Sequence, residues 1–413
     1  MSTLGKIFAT TVVLLSIFPA CLHAETKTPS DQFSELSREY GTVTVGIRAA
    51  QTDLERTEVV EKMGAYPSRF LDLAETYLGD PVALDALRQA VQAASSSDSV
   101  AQIAWETNQS GFPEGCNDGS ASRTIRLLMR GFVLSDRIDS VCDRLRYSYR
   151  LESGEFLRAV MAQNPHRNMR GLACVSLAQF LQDKLRALRL VDERPEMTEC
   201  YRIVFGEDYL PALRLLGAGS LVSEIESLFE QAEKEYGDVE ARAGKVGDIA
   251  KTALYELRHL GIGKTVPETQ GRDQDGAAFK LADYRGKVVM LYFWSEYCLT
   301  CQTMWAHDRS LMNRLGEKPF ALIGVNHLYG NTHERPAGEL SALMKAGGVT
   351  WRTFDDGDGG ISRLWNYPAT PTVYLIDTHG VIRHKWAGKP GEKTLDVALE
   401  VLLTEAEDAD ADR

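Results

Sequence analysis

VVMLYFW, residues 288 to 294, is the stretch that most narrows what this chain can fold into. It is a continuous apolar run, rich in β-branched and aromatic residues, with no polar alternation. That pattern describes a strand buried on both faces, inside a sheet covered by helices. SEYCLTCQT, residues 295 to 303, comes directly after it, with Cys298 and Cys301 three apart. Residues from about Leu299 to Leu315 then have helical spacing. The two cysteines therefore fall where a buried strand ends and a helix begins.

That position carries chemistry. Amide N–H groups at a helix start point outward with partial positive charge. A thiolate there is stabilised, so Cys298 reads as a nucleophile of lowered pKa. Cys301, one turn behind, is placed to attack a mixed disulfide on Cys298 and release its partner. Other readings of the pair are a zinc half-site, two inert core thiols and a peroxidatic cysteine. Zinc requires a second close pair of ligands, and there is no second CxxC. A peroxidatic site would resemble peroxide-reducing proteins, with Pro seven residues before the cysteine, where Leu291 stands; Ser295 fills their Thr/Ser position. No metal ligand set and no bound cofactor are expected.

The periodicity changes near residue 262. Before it, from Ser30 to about Tyr236, the pattern is helical; RFLDLAETYLGD places apolar residues at 70, 71, 73, 74, 77 and 78, one helix face. Asp80 and Pro81 suit an N-cap and a first helical position. Helices opened by Phe-Leu at 70–71 and 156–157, each followed by a proline and another helix, form a faint repeat of helix hairpins. SSSDS (95–99) and residues 110–122 read as loops. After residue 262 come VVMLYFW, a helix, the strand FALIGVN (320–326), a helix over 334–348, a hairpin over 372–388 and a closing helix. The expected fold class is therefore multidomain: an all-α, hairpin or solenoid-like region over 30–236, a helical linker over 237–261, an α/β domain over 262–404 and a frayed acidic tail over 405–413.

The N-terminus reads as an export signal, with Lys6 before an apolar run over 7–20 that is short for a membrane span. Cleavage after Ala24 gives a signal peptide of residues 1–24; lipidation at Cys21 or an uncleaved anchor is the alternative. Export makes a periplasmic or cell-envelope location the expectation. It also opens disulfide pairing among Cys116, Cys142, Cys174 and Cys200, with buried free thiols the competing reading. The net charge of −12 argues against nucleic acid as a partner.

IGKTVPE, LADYRGKVVMLYFWSEYCLTC and YPATPTVYLIDTHGVI together resemble the thioredoxin superfamily, specifically exported TlpA/ResA-type thiol–disulfide oxidoreductases, over about 262–404. The front half resembles, more weakly, helical extensions on such proteins. The resemblance implies a cis peptide at Thr370–Pro371, with that loop facing Cys298 and Cys301 and pairing with a substrate polypeptide. It also implies protein thiols and disulfides as partners, a thiol electron donor, and a substrate surface formed by Trp294, Tyr297, Thr370 and Pro371, with Trp294 packing below the pair. The chain departs from the pattern at four places. Tyr297 stands where Trp is usual, and Leu299-Thr300 separate the cysteines. Tyr292 replaces the buried Asp of thioredoxins, and Met304 the Glu of ResA-type proteins, acids that move protons from the resolving cysteine. Glu296, His307 and Asp308 are the candidate replacements, and exposed helix positions account for all three equally well. The functional expectation is an exported thiol–disulfide oxidoreductase. The alternatives are a binding or scaffold protein acting through its helical region, and a thiol peroxidase.

Overall fold

The first two helices begin where a side chain caps them. Thr28 opens α1 (Pro29–Ala49) and Thr52 opens α2 (Asp53–Gly64), each in a capping box closed by Asp31 and Glu55 respectively. The threonine oxygen takes a free first-turn amide and the acid takes the cap's own amide. α3 (Tyr66–Thr76) buries Phe70, Leu71 and Ala74. The Asp80 carboxylate then accepts from the Val82 amide at 2.8 Å, and α4 (Val82–Asn108) follows. In this computed structural model residues 27–50, 52–108, 119–193, 195, 197–327, 336, 338–367 and 369–411 are described. The expected signal peptide, Cys21 and Cys116 lie outside them.

α4 runs straight through SSSDS, which composition had marked as a loop. Serine costs a helix only a few tenths of a kcal/mol (~0.5), and burial of Val91 and Ala93 just before the run outweighs it. The helical region continues as α5 (Ser120–Gly131), α6 (Asp139–Leu145), α7 (Glu152–Gln163), α8 (Arg167–Glu193), α9 (Met197–Phe205), α10 (Tyr209–Leu215) and α11 (Ala218–Tyr236). One core joins most of them, with Phe156 from α7, Cys174, Phe180 and Leu181 from α8, and Ile225 and Phe229 from α11. Cys142 and Cys174 are free, buried thiols and Cys200 is buried with them; no disulfide joins any two of the three. No helix among the described residues is long and apolar enough to cross a membrane.

The segment expected as a helical linker is more than a tether. It opens with a two-residue pair, β1 (Glu240–Ala241) and β2 (Gly244–Lys245), before α12 (Val246–Tyr255) and a π turn over Glu256–Leu260. Ala250 and Leu254 pack in the helical core, whereas Leu260 packs in the core of the following sheet. The Tyr255 hydroxyl donates to the Leu364 carbonyl at 3.0 Å, and Lys385 pairs with Glu256 at 2.7 Å. The segment is thus shared between both halves.

β3 (Gln270–Arg272) and β4 (Ala278–Lys280) form a hairpin that leads, through a 3₁₀ turn at Leu281–Tyr284, into β5 (Val288–Trp294). Next come α13 (Leu299–Gln302), α14 (Trp305–Leu315), β6 (Phe320–His327), α15 (Glu339–Gly347), β7 (Thr353–Asp356), α16 (Gly360–Leu364), β8 (Thr372–Ile376), β9 (Ile382–Ala387) and α17 (Glu392–Ala411). The sheet order is β7-β6-β5-β8-β9, with β6 parallel and β8 antiparallel to the central β5. All seven residues of β5 are buried. Val288, Met290, Tyr292 and Trp294 join the core under α14, α15 and α17, while Val289, Leu291 and Phe293 join the core on the other face.

Three further differences from the sequence reading have physical causes. β7 has no counterpart in the sequence pattern, because an edge strand reading TFDD has too little apolar alternation to announce itself. The helix expected over 299–315 is broken at Thr303–Met304 into α13 and α14. The acidic tail does not fray at 405: α17 continues to Ala411, Ala406 is buried, and Glu405 and Glu407 pair with Arg383 and Lys318.

Candidate active site

The site is built at the C-terminal end of β5. Ser295, fully buried, follows the strand, and its hydroxyl accepts from the Tyr297 amide at 3.3 Å. The Cys298 amide donates to the Ser295 carbonyl at 3.1 Å, which turns the chain into α13. Cys298 is the N-cap of that helix, and its sulfur accepts from the Cys301 amide at 3.1 Å. Cys298 and Cys301 are joined as a disulfide, with Cα atoms 5.2 Å apart. Their environments differ. Cys301 is fully buried, whereas Cys298 is only partly so. Tyr297 and Leu299, on either side of Cys298, are 74% and 76% exposed. An incoming thiol or disulfide thus meets Cys298 first, on an apolar rim.

The Thr370–Pro371 peptide is cis. Thr372 pairs with Phe293 across β5 and β8, which places Pro371 level with Trp294, at the strand end from which the cysteines depart. The Pro371 carbonyl accepts from the Gly388 amide at 2.8 Å, and the Thr372 hydroxyl donates to the Ala369 carbonyl at 2.6 Å, so the loop is held at both sides. Trp294 is different. It is 1% exposed and packs edge-on against Trp305 at 5.6 Å, so it supports the site from below and offers no surface to a partner.

The three acid–base candidates part company. Glu296 accepts from the Asn326 side chain at 3.2 Å, on the β6 side. His307 is turned to Asp396 of α17, 3.0 Å away, where Arg314 also binds at 2.9 Å. Neither is simply a free surface group. Asp308 departs furthest from expectation, being 0% exposed. Neither of its carboxylate oxygens has a hydrogen-bond partner among the described residues. Burial, opposed by Lys389 and Arg309, pushes its carboxyl up to about 7. A signal for this lies in the spacing: positions 304, 308, 311 and 315 share one helix face, and Met304, Leu311 and Leu315 are buried. Tyr292 completes this corner, its hydroxyl donating to the Cys301 carbonyl at 3.2 Å. Burial first, and then the Asp308 carboxylate, raises its phenol above the ordinary range.

His327, at the end of β6, faces Tyr367, which stacks on Phe293 at 5.2 Å. Most of the polar loop that follows lies outside the described residues. Among the described residues no group of three or more His, Cys, Asp or Glu is arranged to hold a metal ion.

Residues 262–385 match the family model described as the AhpC/TSA family. The chain is 27% identical over 157 residues to the thiol:disulfide interchange protein DsbE of Vibrio cholerae, a match covering 37% of this chain and 80% of DsbE. It is 28% identical over 145 residues to the thiol-disulfide oxidoreductase ResA of Geobacillus kaustophilus, covering 35% of this chain and 80% of ResA. The thioredoxin-like protein YneN of Bacillus subtilis is 26% identical over 149 residues, 36% of this chain and 85% of YneN. The C-terminal part of the chain is an AhpC/TSA-family, thioredoxin-like domain, homologous to the ResA and DsbE oxidoreductases and preceded by a helical region.

Proposed function

We propose that this chain is an exported thiol–disulfide oxidoreductase that exchanges disulfides with protein partners. The observation that carries the reading is the asymmetric pair: an accessible Cys298 bonded to a buried Cys301 at the helix start behind the central strand. The homologues named as thiol–disulfide oxidoreductases support it. In the reducing direction the Cys298 thiolate attacks a partner's disulfide. The partner's S–S bond breaks, one of its sulfurs leaves as a thiolate that takes a proton from water, and a Cys298–partner bond forms. The Cys301 thiol then loses its proton and attacks Cys298, releasing the second partner sulfur and forming the bond seen here. Two electrons pass from the pair to the partner, and the reverse sequence oxidises it. Tyr297, Thr370 and Pro371 supply the surface on which the partner chain lies. Electrons travel as thiols, with no bound cofactor. The export pattern at the N-terminus supports a periplasmic or cell-envelope setting, soluble after cleavage and membrane-associated if lipidated at Cys21 or left uncleaved. The shared packing of α12 and the π turn supports a helical region held in fixed relation to the redox domain, as a docking or spacing element.

The test is trapping with Cys301→Ala in the full chain, expressed in its own compartment. Mixed disulfides through Cys298 are expected, identified by mass spectrometry and abolished by Cys298→Ser. No adducts, together with insulin-disulfide reduction no faster than free dithiol, would overturn the reading. Cys298-dependent consumption of peroxide in place of disulfide reduction would replace it with a thiol peroxidase.

A further inference from the structure

The hydrogen bond from the Tyr255 hydroxyl to the Leu364 carbonyl, 3.0 Å long, crosses from the helical side of the chain to the end of α16. A helix leaves its last four carbonyls without partners of its own. In α16 the residues that follow supply most of them. The Trp365 amide donates to the Ile361 carbonyl at 2.9 Å, the Tyr367 amide to Ser362 at 3.2 Å, and the Asn366 amide to Arg363 at 3.1 Å. Asn366 is left-handed at φ 41°, as this closing turn requires of the residue just past a helix end. The remaining carbonyl, that of Leu364, receives the Tyr255 hydroxyl. The Asn366 side chain donates in return to the Thr252 carbonyl at 3.4 Å, so α12 holds the turn at two points.

That turn leads into the loop that faces the disulfide. Tyr367 stacks on Phe293 of β5 at 5.2 Å, and the cis Thr370–Pro371 peptide follows shortly after it in the chain. Trp365, fully buried, donates its indole N–H to the Thr269 hydroxyl at 2.9 Å and packs edge-on against Tyr374 of β8 at 4.8 Å. The turn is thus fixed by aromatic packing on one side and by α12 on the other. Tyr255 packs against the core of the sheet, whereas Leu254, its neighbour, is buried in the helical core. Arg258, in the π turn, pairs with Glu226 of α11 at 2.7 Å and with Glu230. The residue that caps α16 is therefore itself anchored to the helical region. A second contact across the junction, Lys385 to Glu256 at 2.7 Å, lands on β9 rather than on the turn.

We propose that Tyr255 is a positioning residue for disulfide exchange with proteins: through the end of α16 it sets the loop on which the partner chain lies, an assignment that rests on the thiol–disulfide reading above. The helical region then takes part in partner binding without touching the partner. A polypeptide that lies along Thr370 and Pro371 depends on that loop. A small disulfide reaches Cys298 over the exposed rim of Tyr297 and Leu299 and does not.

The test mixes the pre-reduced full chain with insulin at rising concentrations, quenches with acid, and reads formation of the Cys298–Cys301 bond by mass after thiol labelling. Hydroxyethyl disulfide is the small oxidant. Tyr255→Phe keeps the ring and removes the bond. It is expected to raise the half-saturating insulin concentration roughly 3–10-fold, the factor one hydrogen bond carries, or to lower the second-order rate by that factor where insulin does not saturate. The limiting rate and the hydroxyethyl disulfide rate are expected to stay at wild-type values. Glu256→Gln, which weakens the junction at β9, is expected to leave all of these unchanged. An unchanged insulin reaction in Tyr255→Phe overturns the proposal. So does an equal loss in both variants, or an equal loss with both oxidants. A second measurement requires no turnover: hydrogen exchange of the oxidised chain, read by mass spectrometry on peptides covering residues 361–376. Tyr255→Phe is expected to speed exchange at Asn366, Tyr367 and the loop after them, leaving β5 and β6 as in wild type, and identical exchange overturns the proposal. A wild-type chain oxidised by neither insulin nor hydroxyethyl disulfide would count against the oxidoreductase reading itself, and the exchange comparison would still decide the role of Tyr255.

Discussion

The Tyr292 hydroxyl donates to the main-chain carbonyl of Cys301 across 3.2 Å, tying the central strand of the sheet to the helix that carries the disulfide. The same carbonyl also accepts from the Met304 amide at 3.0 Å, so removing the hydroxyl leaves no orphaned acceptor. Tyr292→Phe is therefore expected to cost about 1 kcal/mol, the net worth of one buried hydrogen bond. Urea unfolding should show a lower midpoint and an unchanged slope. A loss beyond about 3 kcal/mol would mean that the phenol supports far more than this one contact.

Asp308 makes stability depend on pH in a direction opposite to most carboxylates. Its folded value, about 7, lies above the unfolded one, so the native state holds more protons through the window between them. The stability linked to this group is present below about pH 4, falls as pH rises, and is lost above about pH 7, a swing of order 4 kcal/mol. Asp308→Asn has no proton to lose there. Denaturant unfolding at several pH values should show the wild-type curve descending relative to the variant across that window. Parallel curves would mean that Asp308 is ionised in the folded protein.

The features legible in the sequence were those that local pattern encodes. VVMLYFW announced β5, because seven buried residues leave no alternation to misread. Thr370-Pro371 and the cysteine pair were legible as motifs with a position. The rest depended on contacts distant in sequence. Charge weighed without the helix face leaves Asp308 equally an acid–base candidate and an exposed helix residue; the face it shares with Met304 and Leu315 is what buries it. SSSDS became helix because its neighbours are buried by α5 and α6, which composition does not register. β7 borrows its strand conformation from pairing with β6, and TFDD alone shows no sign of it. Leu260 in one core and Leu254 in the other, six residues apart where α12 runs into the π turn, cannot be apportioned from periodicity.

Gly324 shows how closely the layers approach under the site. A Cβ there would lie 2.4 Å from the Thr353 hydroxyl and 2.7 Å from the Trp294 indole nitrogen. Both neighbours are buried, and Gly324 sits in β6 directly beside Tyr292 of β5. Gly324→Ala is expected to destabilise by about 1–3 kcal/mol, the range for overpacking a core. Its second effect should be on Trp294, seen as a shift in tryptophan fluorescence or near-ultraviolet circular dichroism. Wild-type stability with unchanged spectra would mean that β6 and β7 separate more easily than their packing implies.

The cysteines of the two halves should separate cleanly in a labelling experiment. Cys142 and Cys174 are buried, and burial pushes both thiols up to about 12. Near pH 8 the reactive thiolate of such a group is a fraction of order 10⁻⁴, and closed packing lowers its access further. Cys200 is 1% exposed and equally enclosed. Cys298, once reduced, sits partly open at a helix start, where the amide dipoles favour its thiolate. Iodoacetamide added to the reduced, folded chain should therefore modify Cys298 first and Cys301 far more slowly, leaving Cys142 and Cys174 unmodified until denaturant is added. Peptide mapping reads the order directly. Modification of Cys142 or Cys174 in the folded state at a rate near that of Cys298 would show that the helical core opens locally, and would contradict the packing around α8.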